Sequence, residues 1–159
     1  MKVVSDASPI IALSSVGQLD LLRRLFGTVC IPTAVKKEVM AERRKDIRDG
    51  IAKGWVVVKE VTDRQAVQRL RAVLGAGESE AISLALESLD ALLLMDDRLA
   101  RRKAKAWGVR VVGTLGLLVV AADRGLIEDV EFLSRQLADR GFWVSENVIR
   151  EATSRWKAR

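Results

Sequence analysis

The stretch LLLMDD, residues 92–97, decides how the rest of the chain is organised. Four apolar residues in a row are too few for a helix and predict a buried strand. Two carboxylates follow where a central strand would leave the core, and a buried charge is costly unless it is paired or binds a cation. Aspartate also favours strand exits and helix N-caps. Turn chemistry alone therefore accounts well for one of the two acids.

A second strand of the same kind opens the chain. Residues 2–5, KVVS, run directly into Asp6. In open parallel sheets, ligand sites lie at the carboxyl ends of the strands. Asp6 and the acidic pair of residues 96–97 are therefore predicted to meet, although they are far apart in sequence.

Short apolar runs alternate with amphipathic helical segments along the whole chain. This alternation predicts an α/β fold, a three-layer α/β/α sandwich with a central, mostly parallel sheet. A length of 159 residues without a linker or repeat predicts a single domain, 1–159, with 142–159 as a C-terminal helical extension. Trp143 and Trp156 in that extension pack either on the core or on a partner. The predicted strands cover residues 2–5, 29–31, 55–58, 92–95 and 109–112.

Composition narrows the possible chemistry. The chain has no histidine, which excludes serine–histidine and cysteine–histidine hydrolases and imidazole-bound zinc. The single cysteine, Cys30, excludes an internal disulfide and a thiolate zinc cluster. A site built only from carboxylates selects Mg²⁺ or Mn²⁺. The formal net charge of +6 suits an anionic substrate, above all nucleic acid, although many basic proteins bind none.

The sequence predicts neither a membrane span nor an export signal. No apolar run approaches the roughly 20 residues of a membrane span. Only two apolar residues follow Lys2 before Ser5, so no secretory leader is predicted. We expect a cytoplasmic protein with no membrane partner.

Two helical segments place glutamates among apolar residues. GAGESEAI, residues 75–82, opens a helix predicted to run to about Leu89, and Glu78 falls within its apolar arc. The glycines do not make a dinucleotide fingerprint, because a helix precedes them and the third glycine is missing. Acids in a first helical turn are also favoured by the helix dipole. Thr33 is expected to N-cap an earlier helix, on which the residues alone favour an edge position for Glu38.

A basic helical face follows the acidic pair. At helical spacing, its cations share one side of the segment that starts at residue 98. Such a face could bind a phosphate backbone, and an ordinary solvated face explains it about equally well. The four cations are Arg98, Arg101, Arg102 and Lys105.

Five motifs follow one another along the chain. They are SDASPIIAL (5–13), IPTAV (31–35) leading to Glu38, GESEAI (77–82), LMDDR (94–98) and GTLG (113–116). Together they resemble PIN-domain proteins, and in particular an uncharacterised prokaryotic subfamily related to the toxin ribonucleases of type II toxin–antitoxin systems. The similarity extends in order from residue 2 to about residue 127.

The resemblance implies a ribonuclease that uses Mg²⁺ or Mn²⁺, and it assigns residues to that activity. Ser8 and Thr114 match hydroxyl positions that would contact the substrate, as would the basic face. A small antitoxin and a second copy of the chain are the implied protein partners, and RNA is the implied substrate. The catalytic acids would be Asp6, Glu38, Glu78, Asp96 and Asp97, with metal bound by Asp6, Glu78 and Asp97, or by Glu80 in place of Glu78.

Three interpretations of the acidic cluster follow. In the first, the acids hold a metal and hydrolyse phosphodiester bonds of single-stranded RNA, whose backbone an open cleft can reach. In the second, the cluster binds a cation without turnover, and the protein is an inactive module that binds RNA or a protein. A phosphoacceptor domain of receiver type is a third interpretation; such domains pair their acids after the first strand, whereas here the pair follows a late one.

Overall fold

Five short strands form one parallel sheet. The computed structural model describes residues 1–142 and 146–157. The strand order is β3-β2-β1-β4-β5, and every pairing is parallel. The predicted α/β/α sandwich is confirmed, with an all-parallel central sheet. The strands are β1 Lys2–Ser5, β2 Val29–Pro32, β3 Val56–Lys59, β4 Ala91–Leu94 and β5 Arg110–Val112.

Helices fill the connections between the strands. In residues 1–142 and 146–157, none of them is long and apolar enough to cross a membrane. The helices are α1 Ala7–Ser15, α2 Asp20–Phe26, α3 Thr33–Ala41, α4 Lys45–Ala52, α5 Arg64–Arg71, α6 Ala76–Leu86, α7 Arg98–Ala106, α8 Thr114–Asp123, α9 Val130–Asp139 and α10 Glu146–Lys157.

The strand order reverses between β1 and β4. From β1 the chain moves outward through β2 to β3, then returns across the sheet to β4 and β5. Right-handed crossovers in opposite directions put helices on both faces and leave a crevice at the switch point. Ser5 lies opposite Leu94, and Leu94 lies opposite Val112. Asp6, Asp96 and Thr114 therefore leave the sheet side by side.

The end of β4 and the residue that follows it, residues 93–95, lie at the centre of the core. Leu93, Leu94 and Met95 are fully buried, as is Val4 on the neighbouring strand. Each buried side chain of this size stabilises the fold by roughly 1.5–3 kcal/mol. This apolar strand is what carries Asp96 to the crevice.

Helix α6 packs on β1, β2 and β4 and also against α3 and α5. It is therefore buried nearly all round, including Ser79 and Ser83. The helix ends at Leu86, so the prediction that it reaches Leu89 is wrong, and Leu89 is fully exposed in the turn beyond it. A helix enclosed on several sides shows no clear apolar stripe, which is why the pattern misplaced its end.

Helix α10 closes the described part of the chain. It packs against α8 and α9 and buries Ile149, Ala152 and Thr153. The question of where Trp143 and the side chain of Trp156 pack lies outside the described residues.

Candidate active site

Asp6 is the most deeply buried of the acids predicted for the site. It follows β1 directly, its backbone N–H donates to the Leu94 carbonyl at 2.9 Å, and the residue is only 5% exposed. Burial raises the pKa of Asp6 from 3.8 to about 7, against the opposing effect of the Ala7 backbone N–H. Three nearby carboxylates contribute to this rise, because a second negative charge is unfavourable close by. They belong to Glu78, Glu38 and Asp96.

Glu38 approaches the other acids at Gly77, where the absence of a side chain leaves room for its carboxylate. A Cβ added to Gly77 would overlap the Glu38 Oε1 atom and would lie 3.4 Å from Asp6 Oδ1. The two carboxylates therefore approach each other over the bare backbone of α6. Burial of the carboxylate raises the pKa of Glu38, although the residue as a whole is exposed. Glu38 thus leans from the edge of α3 toward Asp6.

Glu78 lies between the acids of β1 and those that follow β4. It occupies the first turn of α6 and is half-buried. Burial raises the pKa of Glu78, the negative charge of Asp97 raises it further, and a backbone hydrogen bond from Gly75 opposes both. Glu38 adds to the rise. Glu78 is therefore electrostatically linked to acids on both sides of the crevice.

Glu80 has a different set of partners. Its Oε1 accepts a hydrogen bond from the Ala34 backbone N–H at 3.1 Å, and its Oε2 lies 3.6 Å from Arg64 Nη2. Glu80 thus satisfies a free N–H at the start of α3. Thr33, the expected N-cap, instead lies inside the helix, and the helix has no side-chain hydrogen bond from its own N-cap residue. The structure therefore groups Glu78, and not Glu80, with the other acids.

The two adjacent aspartates differ in their surroundings. Asp96 accepts the Thr114 backbone N–H at 2.7 Å, the Thr114 hydroxyl at 2.7 Å and the Ser8 hydroxyl at 3.1 Å. Asp97 N-caps α7, accepting the Ala100 N–H at 2.8 Å, and is exposed. The turn-chemistry interpretation thus applies to Asp97. Ser8 and Thr114, predicted to contact substrate, orient Asp96 in this structure.

The acids open into a cleft of about 920 Å³. Asp6, Glu78, Asp96 and Asp97 line one part of it together with Arg98 and Arg101. The rest of the lining is mainly apolar, comes from β5, α8, α9, α10 and Phe142, and also includes Glu151 of α10. Among the described residues, Arg102 and Lys105 do not line the cleft, because they lie farther along α7. The apolar wall includes Val119, Val120, Leu137, Phe142 and Val148.

The role of Gly77 was not predicted from the sequence. A glycine inside a helix costs about 1 kcal/mol relative to alanine, so it needs a structural reason. Here the reason is the close approach of Glu38 and Asp6. The sequence signal was present, because Gly77 directly precedes the Glu78 that was singled out.

The donor set suits a hard divalent cation. Within residues 1–142 and 146–157, no lysine or arginine lies within 4.0 Å of the Asp6, Glu38 or Glu78 carboxylates. Burial raises the pKa of all three, and a bound cation would favour their charged forms and relieve the repulsion that adds to the pKa of Asp6 and Glu78. As the described side chains stand, however, no group of three acids converges closely enough to hold a metal ion. The oxygen donors fit Mg²⁺ or Mn²⁺ in kind, and binding requires side-chain rotation.

A parallel α/β fold with acids at its switch point is the arrangement expected of a PIN-like, nuclease-like fold. A family model described as "PIN domain" matches residues 2–158, and the chain therefore belongs to the PIN-domain family. Proteins of this family are generally nucleases and typically use divalent metals. Searches of curated proteins and of solved structures gave no match.

Proposed function

We propose that this protein is a metal-dependent endoribonuclease that hydrolyses phosphodiester bonds of single-stranded RNA, with a toxin-like role. The observation that supports it is the gathering of carboxylates from the exits of β1 and β4 and from α6 in one cleft, where burial, together with these neighbouring charges and Glu38, raises the pKa of Asp6 to about 7. In a member of the PIN-domain family, such a cluster fits phosphodiester hydrolysis.

Each acid has a distinct part in this proposal. Asp6, Glu78 and Asp97 would hold Mg²⁺ or Mn²⁺, which when bound supplies charge neutralisation and an activated water. Glu38, whose pKa is raised by burial, would orient a water molecule and accept its proton, or complete a second metal position. Asp96 stabilises this end of the cleft by accepting hydrogen bonds from the Ser8 and Thr114 hydroxyls.

Arginines at the start of α7 hold the RNA backbone. Arg98 and Arg101 line the cleft beside the acids, and Arg101 Nη1 donates to the Met95 carbonyl at 3.1 Å. Guanidinium groups beside a carboxylate site bind the phosphates that flank the cleaved bond. Single-stranded RNA is the proposed substrate because its backbone can enter an open cleft. In a toxin-like role, a small antitoxin or a second copy of the chain would be the protein partner.

A second candidate is a weakly active or inactive PIN-like module that binds RNA or a protein. The favouring observation is that, among the described residues, no three acids converge on a metal position. The two candidates differ in one measurable property. An enzyme loses turnover when an acid is removed, whereas a binding module changes only in metal-dependent stability or in binding.

Cleavage of single-stranded RNA tests the proposal. Purified protein is incubated with labelled RNAs of several sequences in Mn²⁺, in Mg²⁺ or in EDTA. Cleavage that requires the metal and stops in EDTA supports the ribonuclease. Absence of cleavage in every metal and with every RNA would favour the binding module.

The pair Glu78→Gln and Glu80→Gln separates the two neighbouring glutamates. Glu78→Gln is expected to reduce cleavage a hundredfold or more. Loss of a residue that only hydrogen-bonds to a metal ligand already lowers activity 10- to 100-fold, and Glu78 is itself a proposed ligand. Glu80→Gln weakens the contacts with Ala34 and Arg64 and is expected to cost about 1 kcal/mol of stability while retaining activity. Cleavage rates and urea denaturation of both variants provide the check. The reverse pattern would assign Glu80 to the site.

Thr114→Val tests the positioning of Asp96. The variant removes the hydroxyl that donates to Asp96 Oδ2 at 2.7 Å and keeps the backbone N–H that donates to Oδ1. We expect the rate of cleavage to fall roughly tenfold, as for the loss of a residue that hydrogen-bonds to a carboxylate of a metal site. Thr114→Ser, which keeps the hydroxyl, should retain most of the activity. Equal rates for wild type and Thr114→Val would mean that Asp96 does not need this bond.

A further inference from the structure

Asp96 and Arg101 approach each other at Gly113, and all three residues line the cleft. A Cβ added to Gly113 would lie 2.5 Å from Arg101 Nη1 and 3.0 Å from Asp96 Oδ1. In the described part of the chain, no carboxylate oxygen lies within 4.0 Å of the Arg101 guanidinium. A gap therefore separates a donor from an acceptor, and Gly113 has no side chain to fill it. The gap is narrow enough for a single oxygen atom to contact both groups at hydrogen-bond distance.

Hydrogen bonds hold the two sides of this gap in place. Arg101 Nη1 donates to the Met95 carbonyl at 3.1 Å and carries a second N–H. Asp96 Oδ2 accepts from the Ser8 and Thr114 hydroxyls. Among the described residues, Asp96 Oδ1 accepts only the Thr114 backbone N–H, at 2.7 Å. A carboxylate oxygen has two lone pairs, so Oδ1 can accept one more hydrogen bond.

The chemistry of the gap selects a hydroxyl group. An oxygen placed there has to accept from Arg101 and donate to Asp96. A phosphate oxygen only accepts, and it would be repelled by the Asp96 carboxylate. A hydroxyl both donates and accepts, as a water molecule does. In RNA, the hydroxyl next to the backbone is the 2′-hydroxyl of each ribose, which DNA lacks.

We propose that Asp96, Arg101 and Gly113 form a binding site for the 2′-hydroxyl of one ribose in the substrate strand, the hydroxyl site. The 2′-hydroxyl accepts a hydrogen bond from Arg101 Nη1 and donates one to Asp96 Oδ1. The other guanidinium N–H groups of Arg101 stay available for a phosphate. This inference rests on the proposed function for its ligand and extends it, because the hydroxyl site makes the protein distinguish RNA from DNA.

Titration of three labelled decamers in EDTA tests the hydroxyl site without cleavage. The decamers consist of uridine, of 2′-deoxyuridine and of 2′-fluoro-2′-deoxyuridine. The fluorinated strand keeps an RNA-like sugar but cannot donate a hydrogen bond from the 2′ position. Wild type is expected to bind the uridine decamer about tenfold more tightly than either of the others, as for one hydrogen bond to a charged group.

Two variants should abolish this preference. Gly113→Ala places a methyl group in the gap, and its extended backbone, with φ −93° and ψ 174°, suits alanine. Arg101→Gln removes the donor. Arg98→Gln is the matched control, because Arg98 lines the cleft but is not among the nearest neighbours of a Cβ at Gly113. The control should bind every decamer more weakly and keep the preference for uridine.

Equal affinity of wild type for the uridine and fluorinated decamers would overturn the hydroxyl site. A preference that survives in both Gly113→Ala and Arg101→Gln would also overturn it, as would the absence of binding to any decamer.

A cleavage measurement separates this inference from the proposed function. In Mn²⁺, wild type should cleave the uridine decamer about tenfold faster than the deoxyuridine decamer, and Gly113→Ala should cleave the two at similar rates. Absence of all cleavage would count against the proposed ribonuclease, and the titration in EDTA would still decide the hydroxyl site. Cleavage of RNA by a wild type that binds all three decamers equally would support the ribonuclease and overturn the hydroxyl site.

Discussion

Asp6→Asn is expected to abolish RNA cleavage and, in the absence of metal, to make the protein more stable. Asp6 is buried within a group of acids, and its pKa rises from 3.8 to about 7. Asparagine has nearly the same shape and carries no charge, so it removes the repulsion together with the metal-binding oxygen. We expect activity to fall a hundredfold or more. Loss of a residue that only hydrogen-bonds to a metal ligand lowers activity 10- to 100-fold, and Asp6 is itself a proposed ligand.

The stability difference should depend on pH in a defined direction. Because the pKa of folded Asp6 is raised, the folded state binds more protons than the unfolded state between pH 3.8 and about 7. The metal-free wild type therefore loses stability as the pH rises through this range, and the loss is complete above it. At about 1.4 kcal/mol for each pH unit, the advantage of Asp6→Asn should grow by roughly 2–3 kcal/mol from pH 5 to pH 8.

Urea denaturation in EDTA at pH 5 and pH 8 measures this advantage. Asp20→Asn is the matched control, because Asp20 forms an exposed pair with Arg23 whose contribution is small. Saturating Mn²⁺ at pH 8 should stabilise wild type more than Asp6→Asn, since binding to the folded state alone adds stability. If the stability difference between wild type and Asp6→Asn is the same at both pH values, the pKa of Asp6 is not raised by burial and neighbouring charges.

Gly77→Ala is expected to reduce cleavage strongly without unfolding the protein. The new methyl group would overlap the Glu38 Oε1 atom, which is the end of a flexible side chain and can move away. Alanine also has the higher helix propensity, by about 1 kcal/mol, so stability should be unchanged or slightly higher. Displacing a reacting group by about 1 Å can cost a hundredfold in rate. We expect a loss of ten- to a hundredfold.

Gly75→Ala is the matched control, because a Cβ at Gly75 would meet nothing within 4 Å. Cleavage by this variant should be close to that of wild type. Combining Gly77→Ala with Glu38→Gln should reduce cleavage little beyond either single variant, because both act on the same carboxylate. Full activity of Gly77→Ala would show that the placement of Glu38 against α6 is not needed for the reaction.

The positions of the strands could be predicted because their apolar runs are short and flanked by turns. The Lys2–Ser5 strand and the run before Asp96 were both located from their short apolar runs, and they are neighbours in the middle of the sheet. The end of α6 could not be located, because a helix packed on several sides has no distinct polar face. Leu89 was therefore assigned to a helix that ends three residues earlier.

The adjacent acids could be found from the sequence, but their partners could not. The sequence does not distinguish Asp96 from Asp97. Only the fold shows that Ser8 and Thr114 donate hydrogen bonds to Asp96, whereas Asp97 caps α7. Glu78 and Glu80 likewise differ only by their neighbours in space, since Glu80 bonds to the start of α3. A hydrogen bond between residues 46 positions apart leaves no local sequence pattern.

The sequence by itself determined the fold class, the family resemblance and the chemical type of the site. Apolar runs specify strands because burying them is favourable wherever they meet, and the absence of histidine leaves carboxylates as the available metal ligands. The tertiary structure alone decided which carboxylates share a cleft, that Gly77 gives them room, and that Arg101 approaches Asp96 at Gly113. The reason is that electrostatic repulsion and close contact depend on distance in space, which the order of strands sets and the spacing of residues does not.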